Sequence, residues 1–91
     1  MYILTERWND SNDIFVKLAL TEEVAVKYFE MELTDVISNN VEQEDVDVKK
    51  IIKECKKENG EYYFPGYSYF EEELDVSISL KKYEGDWTET L

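Results

Sequence analysis

Residues 74–81 alternate strictly between apolar and polar side chains, and this pattern constrains the fold more than any other feature of the sequence. A period of two predicts a β-strand with one face on a core and the other in solvent. Such a strand needs partner strands and a second layer that covers its apolar face. The apolar positions are Leu74, Val76, Ile78 and Leu80, and the polar ones are Asp75, Ser77, Ser79 and Lys81.

Two hairpins are predicted around this strand. Residues 2–8 read as a first strand, residues 9–13 as a turn, and residues 14–20 as a second alternating strand. Near the other end, Pro65-Gly66 fits the centre of a type II turn. The sequence therefore predicts a second hairpin, with residues 62–64 before this turn and a strand that begins near Tyr67 after it.

Two amphipathic helices are predicted between the hairpins. Thr21 can cap the first, whose apolar stripe over residues 24–38 is about as wide as a core-facing helix requires. The second is predicted over residues 45–58, with Cys55 in its apolar stripe and five lysines on the opposite face. The first helix also carries a second apolar strip, Val24, Tyr28 and Met31, which is either a second buried face or an exposed patch for a partner.

The predicted order of elements is ββααββ. This order favours an α+β fold, a two-layer sandwich in which an antiparallel sheet of about four strands carries two helices on one face. The length of 91 residues suits a single domain over 1–91, with a loosely held tail at 84–91.

Charge is the main guide to function. The net charge is −12, and it is unevenly distributed: residues 48–58 carry five lysines against two glutamates, and the segments on both sides are strongly acidic. Direct binding of nucleic acid or of a membrane surface is therefore not expected. A basic protein is the expected partner, and a nuclease or another nucleic-acid-binding enzyme has the required surface.

The residue inventory removes several chemistries. The chain has no histidine and one cysteine, Cys55, so the sequence offers no imidazole base and no internal disulfide. We expect Cys55 to lie in the core and the protein to work in a reducing bacterial cytoplasm. No secretory leader or membrane span is expected, and neither is an enzyme activity, a cofactor or a metal site.

Two acidic segments and one aromatic cluster are the candidate partner-binding residues. The first acidic segment admits three interpretations: a calcium loop, which lacks the glycine and spacing of an EF-hand, a helix start enriched in acids, or a docking patch. The glutamate run is expected where a strand begins, for solubility or as a row of phosphate-like charges. Tyrosine is enriched at interfaces, although part of the cluster is expected to fill the core. The candidates are Glu42, Glu44, Asp45 and Asp47, then Tyr62, Tyr63, Tyr67 and Tyr69, then Glu71, Glu72 and Glu73.

These features support three hypotheses. In size, acidity and α/β composition the chain resembles phage anti-CRISPR, anti-restriction and glycosylase-inhibitor proteins. The resemblance implies a nucleic-acid mimic that occupies the basic groove of an enzyme. An immunity protein that neutralises a nuclease toxin is the second hypothesis, since residues 83–87, YEGDW, are loosely similar to the ending of one ribonuclease-colicin immunity family. The third is an oligomeric structural or regulatory protein, such as a homodimer, that associates through the strip on the first helix or through an edge strand.

Overall fold

A computed structural model describes residues 1–42 and 45–83 of the chain. The predicted tail at 84–91 and the candidate Glu44 lie outside the described residues. The elements are β1 (Tyr2–Trp8), β2 (Asp13–Ala19), α1 (Glu22–Asn40), α2 (Val48–Cys55), β3 (Tyr62–Pro65), α3 (Gly66–Phe70), a 3₁₀ turn (Glu71–Glu73) and β4 (Val76–Lys82).

The four strands form one antiparallel sheet in the order β2-β1-β4-β3. Strand β1 lies inside the sheet, where Leu4 is opposite Lys17 of β2 on one side and Leu80 of β4 on the other. The predicted first hairpin is confirmed, with a short loop that ends at Asn12 in the left-handed region (φ 60°). The predicted α+β class, with an antiparallel four-stranded sheet and helices packed on it, is confirmed.

The core lies between one face of the sheet and α1. Thr21 caps α1 by accepting a hydrogen bond from the Val24 amide, which satisfies one of the free N–H groups of the first turn. The buried side of α1 follows the predicted stripe, in which Phe29 and Leu33 are completely buried. Phe29 meets the ring of Tyr62 from β3 at 5.0 Å between centroids, so an aromatic pair joins the two layers.

Helix α2 is shorter than predicted, because the chain leaves the helix at Lys56. Asp47 caps its start by accepting a bond from the Lys50 amide. Lys56 is extended and forms a bridge with Tyr62, and the Lys57 amide donates to the Glu61 carbonyl at 2.7 Å. These bonds to the start of β3 replace the last turn of the predicted helix over residues 45–58.

The predicted second hairpin is wrong about the segment that connects its two strands. Pro65 ends β3 and Gly66 begins α3, so residues 66–70 are helical and no strand begins near Tyr67. The glutamate run therefore forms a 3₁₀ turn instead of the start of a strand, and β4 begins at Val76. The reason is packing: α3 buries Phe70 and brings the backbone of Gly66 against β4. Strands β3 and β4 still pair antiparallel across this helical connection.

The two faces of the sheet differ sharply in character. Side chains at the buried positions of β1, β3 and β4 face the helices. The other face carries exposed side chains in three rows across the strands, because residues paired directly opposite each other point to the same side. The rows are Leu18–Ile3–Lys81, Val16–Thr5–Ser79–Tyr63 and Ile14–Arg7–Ser77–Pro65, and we call this surface the open face.

Candidate functional site

The three glutamates of the run lie on the surface beside two aromatic rings. Glu71, Glu72 and Glu73 are all exposed, and with Tyr69 and Phe70 they line a concavity of about 430 Å³. The side chains of Tyr69 and Phe70 stack or tilt against Phe64 of the core, at 5.5 and 6.4 Å between centroids. The glutamates therefore lie next to a cluster of aromatic rings that packs against the core.

The backbone of Glu71 is in an unfavourable conformation. Its φ of 51° and ψ of −131° lie where glycine is favoured and a side chain costs about 1–3 kcal/mol. Glycine at this position would relieve the cost, yet the chain carries a glutamate whose side chain is exposed. The fold therefore retains a strained residue with a charged side chain at an exposed position.

The predicted tyrosines separate into surface and core residues. Tyr67 and Tyr63 are exposed, Tyr67 on α3 and Tyr63 on the open face. Tyr69 is half-buried, and Tyr62 lies in the core against Phe29. Alternation along β3 puts Tyr62 and Phe64 on the buried side and Tyr63 on the other, so the structure does not bring the four tyrosines together on one surface.

The first acidic segment precedes α2. Glu42 and Asp45 are exposed, and Asp47 is exposed while its carboxylate caps the helix. An acidic cap of this kind is favoured by the helix dipole. Among residues 1–42 and 45–83, no group of three or more Cys, Asp or Glu side chains is arranged to hold a metal ion.

A buried glutamate that the sequence reasoning did not select lies at the centre of a polar chain. Glu6 on β1 is 7% exposed, and its Oε2 accepts a bond from Trp8 Nε1 at 2.8 Å. Its Oε1 is buried, and none of the residues in 1–42 and 45–83 donates a hydrogen bond to it. Glu32 of α1 lies within hydrogen-bonding reach of Glu6 and accepts a bond from Lys17 Nζ at 2.6 Å. The four residues link β1, β2 and α1.

Burial raises the pKa of Glu6, and the nearby Glu32 carboxylate raises it further, while the bond from Trp8 acts in the opposite direction. The bond to Glu32 raises the pKa of Lys17, which therefore stays charged. Burial and the nearby carboxylate both favour the protonated form of Glu6, and in that form the carboxyl group can donate a hydrogen bond to the Glu32 carboxylate. Alternation of Tyr2, Leu4 and Glu6 along β1 was the available signal for this buried position.

Three basic side chains lie on or beside the open face. Arg7 and Lys81 lie there among the hydroxyl groups of Thr5, Ser77 and Ser79. Lys57 lies 6.0 Å from the ring centre of Tyr63, and its side chain lines the same concavity of about 490 Å³. Glu61 lines this concavity as well, so the concavity carries charges of both signs.

Cys55 is buried in α2, as predicted. Burial raises the pKa of its thiol to about 11, against the opposing effects of a bond with Tyr69 and the charge of Lys57. Because the thiolate is the reactive form, we expect Ellman's reagent at pH 8 to label Cys55 only as fast as the protein unfolds. Labelling in urea is the control. Native labelling as fast as that of the unfolded chain would contradict a core role.

An exposed apolar surface lies along β2. Ile14, Phe15, Val16 and Leu18 are each more than half exposed, and they point to both faces of the sheet. On α1, Val24 is 40% and Met31 61% exposed, and Tyr28 is half-buried. The strip on α1 is thus an exposed patch, which answers the question that the sequence left open.

No family model, curated protein or solved structure matches the chain. Within the described residues, no helix is long and apolar enough to cross a membrane. The description of this protein therefore rests on its own fold and composition: an acidic α+β domain with a four-stranded antiparallel sheet and helices packed on it.

Proposed function

We propose that this protein binds and inhibits a nucleic-acid-processing enzyme of the bacterial cytoplasm by occupying the enzyme's basic nucleic-acid-binding surface. It acts as a nucleic-acid mimic, in the manner of a phage counter-defence protein directed against CRISPR or restriction enzymes. It performs no catalysis and needs no cofactor. Its partner is a basic protein, and it binds neither nucleic acid nor membrane directly.

The row of Glu71, Glu72 and Glu73 carries this proposal. The carboxylates are exposed beside Tyr69, and Glu71 keeps its side chain at a backbone position that favours glycine. Carboxylates held on the surface in this way take the place of phosphates in a basic groove. The exposed ring of Tyr67, on the preceding helix, adds apolar contact area of the kind that anchors interfaces.

The distribution of charge supports the same conclusion. With a net charge of −12, the protein is drawn toward a basic surface over several ångströms, which raises the association rate. Arg7 and Lys81 line a different concavity from the one that Glu71, Glu72 and Glu73 line. The three carboxylates can therefore meet a basic surface without competition from these two side chains.

The test is an inhibition assay with defined enzymes: a CRISPR effector nuclease and a panel of restriction endonucleases, each cleaving a labelled duplex. We expect inhibition of at least one enzyme that is competitive with DNA. The association rate should fall at least about tenfold as salt rises from about 50 to 300 mM, because screening removes the attraction. Inhibition of none of these enzymes, or inhibition that salt does not affect, would contradict the proposal.

A matched pair of triple variants locates the site. E71Q/E72Q/E73Q should slow association with the inhibited enzyme about tenfold or more and leave the far-UV spectrum unchanged. D10N/E54Q/E58Q removes the same charge from other exposed positions and should change the rate only two- to threefold. Equal losses in the two variants would remove the glutamate run from the site. E71G relieves the backbone strain, so it should stabilise the fold while weakening inhibition.

A further inference from the structure

We infer that two copies of this chain associate through β2, edge to edge, to form a continuous eight-stranded antiparallel sheet. The observation behind this inference is the edge itself. Strand β2 is seven residues long and lies at the end of the sheet, so one row of its backbone groups has no partner strand in the part of the chain that the structure describes. An edge of this length with exposed apolar side chains favours pairing with another strand.

The opposite edge shows how this fold protects a strand. Strand β3 has four residues, and Tyr62 is bridged by Lys56, so the chain itself covers part of that edge. Strand β2 has no proline. Its one lysine, Lys17, forms an ion pair with Glu32 at 2.6 Å, which draws the ammonium group toward α1 and away from the free edge. The usual protection of an edge by charge is therefore weak at β2.

A second copy is the occupant that the charges favour. Strand β2 carries one acid, Asp13, and one base, Lys17, so it is locally neutral in a chain of net charge −12. When two copies pair antiparallel about Phe15, Asp13 of each lies opposite Lys17 of the other, and Ile14 lies opposite Val16. Opposite charges directly across a ladder stabilise it, as do paired apolar and aromatic side chains.

The exposed strip on α1 lies toward the same edge. Lys17 of β2 lies 5.5 Å from the ring centre of Tyr28 and bonds to Glu32, so this side of α1 faces β2. Val24 and Met31 are the exposed members of the strip. A second copy paired at β2 brings its own α1 alongside, and the two strips then cover each other above the joined sheets. One two-fold axis thus brings together the two β2 edges and the two α1 strips.

Sedimentation equilibrium of the full chain tests the inference. We expect a species of twice the 10.9 kDa chain mass at about 100 μM. Its dissociation constant should fall as salt rises, because each chain carries −12 and screening reduces the repulsion. This salt dependence is opposite in sign to that of binding to a basic enzyme, so each proposal can fail without the other. A monomer at all concentrations and salt levels would overturn the inference.

A lysine placed on the edge should separate the copies. Val16→Lys changes an exposed side chain and makes the chain less acidic, so greater overall repulsion cannot explain a loss of association. We expect dimerisation at least about tenfold weaker with an unchanged urea midpoint. Tyr67→Lys, which makes the same charge change on α3, should leave the dimer intact. An intact dimer in Val16→Lys would place the interface away from β2 and overturn the inference.

Cysteine cross-linking tests the register. Paired about Phe15, the two copies bring their residues 15 within about 4.5–5.5 Å between Cα atoms, a distance that a disulfide spans. Phe15→Cys should therefore form a covalent dimer on mild oxidation. In Leu18→Cys the new thiols lie about 20 Å apart along the strands and should stay reduced. The native Cys55 is buried and does not interfere. Efficient cross-linking of Leu18→Cys with none in Phe15→Cys would overturn this pairing.

Discussion

Gly66→Ala lowers the free energy of unfolding by about 3 kcal/mol, because an added methyl group at this position has no room. A Cβ atom on Gly66 would lie 2.6 Å from the carbonyl oxygen of Val76 and 2.9 Å from that of Leu74. Both contacts are with backbone at the start of β4, which cannot rotate away as a side chain would. The chain must instead move α3 outward, which opens the packing of Phe70.

Urea unfolding followed by far-UV circular dichroism measures this loss. Gly60→Ala is the matched control, since Gly60 lies in the left-handed region at φ 81° but its added Cβ would meet only the flexible side chain of Glu22, at 3.6 Å. Gly60→Ala should lower the free energy of unfolding by about 1 kcal/mol, because only the backbone conformation at this position disfavours a side chain. Equal losses in the two variants would mean that α3 does not pack closely on β4.

The parts of the fold that were predictable are those with local periodicity. The alternation around Val76, Ile78 and Leu80 identified β4, and the spacing of Phe29 and Leu33 identified the buried side of α1. These patterns involve alternate residues of a strand, or residues within one or two turns of a helix, so they can be recognised in a single sequence.

The connection between β3 and β4 was not predictable in this way. Pro65-Gly66 has the composition of a type II turn, but Gly66 is required here by the close approach to Val76 and Leu74. That contact joins residues distant enough in sequence that no local pattern shows it. No local pattern shows the strand order β2-β1-β4-β3 either, because the pairing of β1 with β4 depends on how the whole chain packs.

The candidate site was partly visible in the sequence. The three glutamates were identified by type, but the positive φ of Glu71 and the concavity beside Tyr69 follow from α3, which was not predicted. Tyr62 was selected as a partner-binding candidate from composition alone. Since Tyr62 and Phe64 are alternate residues of one strand, the sequence already indicated that both point to the same, buried side. The exposure of β2 required the position of that strand at the end of the sheet.

Glu6→Gln is expected to raise the free energy of unfolding at pH 7 by about 1–2 kcal/mol, an unusual outcome for a buried polar residue. Glutamine keeps the shape of the side chain. Its carbonyl oxygen can accept the bond from Trp8 Nε1, and its amide can donate to Glu32. The substitution therefore preserves the chain of hydrogen bonds and removes the charge that burial disfavours.

The pH dependence provides the sharper test. The pKa of Glu6 is raised above its ordinary value of 4.5 in the folded state, so folding favours the protonated form. Stability from this group is complete below about pH 4.5 and is lost as the pH rises through the folded-state pKa. The variant should match the native protein at low pH and exceed it increasingly as the pH rises, reaching a constant difference above that pKa.

Glu30→Gln separates this effect from a general loss of negative charge. Glu30 is exposed on α1, and its neutralisation reduces the net charge by the same amount as that of Glu6. Glu30→Gln should change the free energy of unfolding by about 0.5 kcal/mol or less. Destabilisation of the protein by Glu6→Gln at pH 7 would contradict this expectation. It would show that the Glu6 carboxylate is ionised in the folded protein and is stabilised by the positive charge of Lys17. A stabilised variant whose advantage grows as the pH rises above about 4.5 would support a raised pKa of Glu6 in the folded protein, where its side chain is buried beside Trp8 and the Glu32–Lys17 pair.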